Sequence, residues 1–162
     1  GTYIKLDCGK TYKDFNEGKL LKELPKIKFN DYQGSHWQPS LIPLKTWNRV
    51  GGFSLEFTPG IGSDPDFNMK LWKIGVRLFK GLGNCRVYHF SSVTLRKKIS
   101  NNNGAKTFLL KWGITIKFFR KYYLRTDTTF NGELKEPDKT FSYYLNLLKC
   151  KFSFAYFYIL KN

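Results

Sequence analysis

Acid is what this chain has least of. Only 12 Asp and Glu stand against 28 Lys and Arg, a formal net charge of +16 over 162 residues. The shortage is uneven. Residues 1 to 75 hold 11 basic and 8 acidic side chains, while residues 76 to 162 hold 17 and 4. A second half so basic expects an anionic partner: nucleic acid, anionic lipid head groups or a phosphate-bearing substrate. Cysteine is also scarce. Cys8, Cys85 and Cys150 are far apart and odd in number, with no CxxC or Cys-His spacing. Neither a zinc site nor a disulfide framework is indicated, and a reducing compartment fits best. Long apolar runs are missing too. The longest uncharged one, Phe152 to Leu160, falls well short of the ~20 residues a membrane span needs. No internal repeat and no signal peptide is read, and a chain that begins at Gly1 is expected to lack its natural start.

What is present suffices for a core. Hydrophobic residues make up 41% and aromatics 18%, enough for one domain or part of a larger one. Asp14 to Leu24 reads as a short helix with Phe15, Leu20, Leu21 and Leu24 on one face, ended by Pro25. Lys26 to Phe29 alternates like a strand, and Asn30 to Ser35 is loop by composition. Pro39 and Pro43 keep the next stretch extended. Trp47 and Val50 then start an apolar face that stops at Gly51-Gly52, a pair suited to positive φ or close backbone approach.

The most informative stretch runs from Gly51 to Trp72. A helix is expected over Pro65 to Ile74, with Asp64 as N-cap, Pro65 at the first helical position and Asp66 matching the helix dipole. Phe67, Leu71 and Ile74 share a face, and Gly75 ends it. Val76 to Phe79 and Cys85 to Phe90 read as strands around a turn at Gly81 to Asn84. Asn101-Asn102-Asn103-Gly104 reads as a linker. Ala105 to Arg125 is helical by pattern, with Phe108, Leu109, Trp112, Ile116 and Phe119 in rough register and a basic opposite face. Thr126 to Lys139 is polar loop. Phe141 to Leu160 is ambiguous: Phe141, Tyr144, Leu145 and Leu148 suit a helix, whereas Phe152, Phe154, Tyr156 and Tyr158 alternate like a strand.

Several of these motifs occur in a known order. Gly51-Gly52-Phe53 through Glu56 and Phe57, then Pro59-Gly60, Ser63-Asp64-Pro65-Asp66-Phe67, Lys70-Leu71-Trp72 and Gly75-Val76-Arg77 resemble the second half of family 2 nucleotide-sugar glycosyltransferases with the GT-A fold. His89 resembles the histidine that ends the family's next strand, and Lys111-Trp112-Gly113 the Lys-Trp-Gly of the helix behind it. The resemblance covers about residues 36 to 115. Ser63 stands where the family usually has Glu. The family's nucleotide-binding β-α-β unit and its Asp-x-Asp have no counterpart; Lys5-Leu6-Asp7-Cys8 is not that motif. The resemblance therefore implies an α/β fold: the C-terminal half of a GT-A, Rossmann-like mixed sheet flanked by helices. Residues 1–104 would be the acceptor-side half, and 105–162 a basic, aromatic, mostly helical extension.

The same resemblance implies an inverting transferase that moves a sugar from a nucleotide-sugar donor to a glycan or lipid-linked acceptor hydroxyl. Asp64 is implied as the general base, against a plain N-cap worth ~1 kcal/mol. Asp66 either orients base or acceptor or simply complements the dipole. Trp37, Pro59, Gly60 and Ser63 are implied acceptor contacts, with Trp37, Trp47 and Trp72 open to a core role instead. Arg96 and Lys97, with Lys98, either hold the diphosphate or form a solvated or lipid-facing surface. His89 is either a hydrogen-bonded strand-end histidine or a ligand to Mg²⁺ or Mn²⁺, whose main ligands would come from the missing half. A cytoplasmic location is expected. Residues 105–162 could add peripheral contact with the inner membrane face or pack as a helical appendage. The alternatives to a transferase are a basic nucleic-acid-binding module or an inactive truncated scaffold. Nucleic acid is not the expected partner, because the charges are dispersed and no binding motif is present.

Overall fold

The computed structural model describes residues 4–34, 38–58, 61–90 and 103–159. Within them the chain is mixed in class but mostly helical. Helix α1 spans Glu17–Glu23 and is capped by Asn16, whose side chain accepts from Lys19 N. A 3-10 turn at Leu24–Lys26 carries Pro25 in its first positions. Strand β1 is Tyr32–Gln33, helix α2 Leu44–Val50 and helix α3 Ser63–Lys73. Strand β2 is Lys80–Gly81, and helix α4 is Gly104–Trp112. Helix α5, Ile116–Phe118, runs straight into a π-helical turn at Phe119–Leu124. Helix α6 is Phe141–Ile159.

Among the described residues the sheet is a two-residue antiparallel ladder, Tyr32 opposite Gly81 and Gln33 opposite Lys80. The broad Rossmann-like sheet expected from the motifs is not found there. Lys26–Phe29, Val76–Phe79 and Cys85–Phe90 are not strands. The reason lies in their partners. Instead of neighbouring strands, these extended segments meet loops by single bonds, so no ladder propagates. Gly34 N, directly after β1, donates to Phe79 O at 2.8 Å, and Leu134 N to Arg77 O at 2.9 Å. Arg86 spans the turn, Nε to Gly83 O at 2.8 Å and Nη1 to Leu24 O at 3.2 Å. Part of the segment expected to be loop supplies β1 instead.

Two other expectations change. The helical stretch 105–125 is broken at Gly113, whose φ of 70° closes α4 with a left-handed cap, and it restarts at Thr115, whose hydroxyl accepts from Phe118 N. The ambiguous 141–159 segment is one unbroken helix.

The core is aromatic. Phe57, Phe67, Trp72, Phe79, Phe108, Phe118, Phe119 and Tyr143 form one buried cluster with Met69, Leu71, Leu109 and Leu124. Helix α3 contributes Phe67, Met69, Leu71 and Trp72 to it, and α4 contributes Phe108 and Leu109. Residues on both sides of position 104 therefore share one interior.

Candidate functional site

Helix α3 starts earlier than its sequence suggests. The N-cap is Gly62 at φ 96°, not Asp64. A Cβ at Gly62 would sit 2.7 Å from Phe57 Cδ1 and 3.0 Å from Gly104 O, and one at Gly104 would sit 1.7 Å from Ile61 O. Two glycines thus let the loop before α3 lie flat on the first turn of α4. Ser63 and Asp64 become the first two helical residues. Pro65 falls third, still within the first turn where a missing N–H removes no helical bond.

That start fixes where the two acids go. Residues two apart on a helix project about 200° from each other, so Asp64 and Asp66 cannot share a face. Asp66 turns inward and is 0% exposed. Its Oδ2 accepts from Ser54 Oγ at 2.6 Å and its Oδ1 from Trp112 Nε1 at 2.8 Å. Lys111 Nζ lies 2.8 Å from the same Oδ1 and 2.7 Å from Glu56 Oε1, and donates to Ser54 Oγ at 3.1 Å. The ammonium also stands 5.4 Å from the Phe57 ring centroid and 5.3 Å from that of Trp112. A buried carboxylate is tolerated when its lone pairs are met by donors and a cation, and here both are. Burial alone would lower the Lys111 pKa, but hydrogen bonds to Asp66 and Glu56 outweigh it and raise the value. The Lys111 ammonium likewise holds Glu56 below the usual carboxylate range.

Lys70 closes the other side. Its Nζ donates to Gly52 O. Burial lowers its pKa, with Asp66 opposing that and Lys111 adding to it. Gly52 itself, at φ 62°, carries the Trp47 indole on top of it. A Cβ there would be 2.7 Å from Trp47 Cζ2. Trp47, Phe53 and Phe67 pack ring to ring at 5.0 to 5.3 Å. Ser54, Lys111 and Trp112 therefore converge on one carboxylate, with Gly52 tied in through Lys70, although 57 residues separate Ser54 from Lys111 in sequence.

Asp64 has the opposite environment. It is half-buried, and desolvation raises its pKa against a Gln38 hydrogen bond that lowers it. Ser63 beside it is also half-buried. A carboxyl raised by burial on a rigid helical turn is suited to accept a proton. Asp66, held on both oxygens, is suited to position that turn.

The other expected site residues are not brought to this turn by any described contact. His89 is exposed, between Tyr88 and Phe90, whose rings pack on Phe15 at 5.1 and 5.5 Å. Tyr88 Oη accepts from Cys8 N at 2.9 Å and donates to Gly9 O at 2.8 Å, so this segment serves to hold the N-terminal loop. Among the described residues no group of three or more His, Cys, Asp and Glu could hold a metal ion. These residues do not by themselves fit Mg²⁺ or Mn²⁺. Trp37, Pro59, Gly60, Arg96 and Lys97 lie outside the described residues. Trp72 is buried at 4% exposure, with the Arg77 guanidinium 3.9 Å from its ring centroid, and is a core residue. Arg77 in turn bonds Trp72 O at 2.8 Å and Glu136 at 2.6 Å.

Sequence reasoning missed Ser54, Lys111 and Gln38 as neighbours of the acids. A local signal existed only for Lys111 and Trp112, which precede a glycine cap and so must sit on the last turn of a helix. Compared with known proteins, the chain matches no family model, no curated protein and no solved structure.

Proposed function

We propose that the chain is the acceptor side of an inverting glycosyltransferase, with Asp64 as general base. The observation that carries this reading is the division of labour in the first turn of α3. One acid is locked by donors on both oxygens, and its neighbour two residues away is half-buried with a raised pKa. A base must stay fixed in position and be poised to take a proton, and the pair supplies both conditions. The convergence of Ser54, Lys111 and Trp112 on Asp66 supports the reading further, because three of the segments that resemble the family meet at this turn.

In the reaction, the Asp64 carboxylate accepts the proton of the acceptor hydroxyl as that oxygen attacks the anomeric carbon. The new glycosidic C–O bond forms as the bond from the anomeric carbon to the nucleoside diphosphate breaks, and the diphosphate leaves with the electron pair. Attack from the opposite side inverts the anomeric centre. Asp66, Ser54, Trp112 and Lys111 hold the turn on which the base sits. In this reading the described residues are the acceptor-side half of a GT-A fold, whose sheet and nucleotide contacts are completed by other residues.

The test is sugar transfer from a panel of nucleotide-sugars, using these residues translated together with the reading frame upstream of Gly1. Asp64→Asn keeps size and hydrogen bonding but removes the base. A fall in kcat of roughly 10²–10⁴-fold is the expected size of such a loss. Turnover unchanged by the substitution would remove Asp64 from that role.

A further inference from the structure

Helix α6 is apolar on two sides. One side faces the core: Tyr143 and Cys150 are buried, Leu147, Phe154 and Phe157 pack partly against the cluster, and Thr115 Oγ1 lies 3.6 Å from Cys150 Sγ. At about 100° per residue those positions share one half of the helix. The other half is just as apolar and faces outward. Phe141 is 79% exposed, Leu145 45%, Leu148 52%, Phe152 68%, Tyr156 60% and Ile159 71%. These positions step by three and four along the whole helix, so they form one stripe. Lys149 and Lys151, both exposed, fall on the two flanks of that stripe, roughly 80° to either side of its midline.

The geometry points to this stripe as a surface that lies flat on an anionic lipid bilayer. Three observations select that occupant. First, an interfacial helix is expected to carry aromatic and aliphatic groups on one face with lysines along its edges, which is the arrangement found. Second, from Lys139 to Asn162 the chain carries four lysines and no acid, so a second copy of the same stripe would bring like charges together in a chain already at +16. An anionic surface complements that charge. Third, more cations stand at the N-terminal end of the helix. Lys117, Arg120, Lys121 and Arg125 line a cleft of about 650 Å³ together with Asp127, Asp138 and Thr140; Arg120 pairs with Asp127 and Arg125 with Asp138, so the lining keeps a net positive charge through Lys117 and Lys121, and Tyr122 Oη donates to Ser142 O at 3.0 Å. No helix among the described residues is long and apolar enough to cross a membrane, so the contact is one of lying on the surface. This proposal does not depend on the transferase reading.

Vesicle flotation of the 162-residue chain tests it, with phosphatidylcholine alone compared with phosphatidylcholine mixed with phosphatidylglycerol. The chain is expected to float with the anionic vesicles and to be released from them by salt. Leu148→Ser combined with Phe152→Ser should weaken that binding by roughly tenfold or more, since two buried apolar side chains are lost. Lys149→Glu combined with Lys151→Glu leaves the stripe intact and should weaken it about fivefold or more per position. Both variants alter exposed residues and should melt as the parent does. Failure to float with anionic vesicles would overturn the proposal, as would binding untouched by both variants. A dimer in light scattering that the Leu148 and Phe152 changes dissolve would assign the stripe to a second copy instead.

Discussion

The first turn of α3 and the outer face of α6 break the usual rule of burial in opposite directions. At α3 a carboxylate is 0% exposed. At α6 a run of large apolar side chains is out in the open. The informative departures from ordinary globular burial are a buried charge and an exposed apolar patch, and the two here differ in whether they are satisfied. Asp66 has a donor or a cation on each oxygen, all from this chain. The α6 stripe has no covering partner among the described residues. The contrast teaches that the α3 acid is satisfied by the described residues, whereas the α6 stripe is left open by them.

The sharpest way to break that comparison is to empty the buried site. Asp66→Ala strands the Trp112 N–H, the Ser54 hydroxyl and part of the Lys111 charge. Removing one partner of a buried ion pair costs about 3–5 kcal/mol; Lys111 is still 27% exposed, which puts this case at the low end. Urea unfolding should show a loss near 3 kcal/mol, and a loss below about 1 kcal/mol would mean that the knot does not hold the turn. Next in size is Gly104→Ala. A Cβ there would collide with Ile61 O, a backbone atom that cannot swing aside, and overpacking of this kind costs about 1–3 kcal/mol.

Trp112→Phe keeps an aromatic ring but removes the N–H donated to Asp66 along with part of the indole that packs on the core. A hydrogen bond to a charged group is worth about 1.5–3 kcal/mol, so this variant should lose about as much stability as Gly104→Ala. The α6 stripe should behave differently. Phe152→Ser is expected to change stability by no more than about 0.5 kcal/mol, as exposed sites do, while the buried Leu109→Ala loses about 2–5 kcal/mol. If Phe152→Ser destabilises like Leu109→Ala, the stripe is part of the interior and the contrast collapses.

The smallest effect concerns Asp64. Burial raises its pKa in the fold above the ordinary carboxylate value. The stability linked to it is therefore fully present below that value and is lost as pH rises through the raised one. At neutral pH the native chain carries a half-buried charge, so Asp64→Asn should melt at the same temperature or slightly higher. The difference should vanish in acid. Melting curves across pH check this, and an Asn variant less stable at neutral than at acid pH, relative to the parent, would contradict the sign.

Much of the α3 region was legible in the residues. The glycine pair, the helix through Phe67 and Leu71, and the tight approaches at positive φ follow from local chemistry. The cap was misplaced because Asp64 satisfies every local rule for an N-cap. Only the packing of Ile61-Gly62 against Gly104 pulls the helix start back to Gly62. The strands were misread for a related reason: alternation marks a segment as extended, but a ladder needs a neighbour, and 76–79 found one bond from Leu134 and one from Gly34. The 141–159 helix was obscured because both its faces are apolar, which removes the contrast on which periodicity depends.

By itself the sequence determined the basic second half, the chemistry of the acidic turn and the aromatic core composition, since these depend on residue type and near neighbours. The tertiary structure alone decided that Asp66 is the locked acid and Asp64 the half-exposed one. It alone turned half of the α6 apolar residues outward. Both outcomes rest on contacts between segments tens of residues apart, and local pattern carries no information about which distant face a side chain will meet.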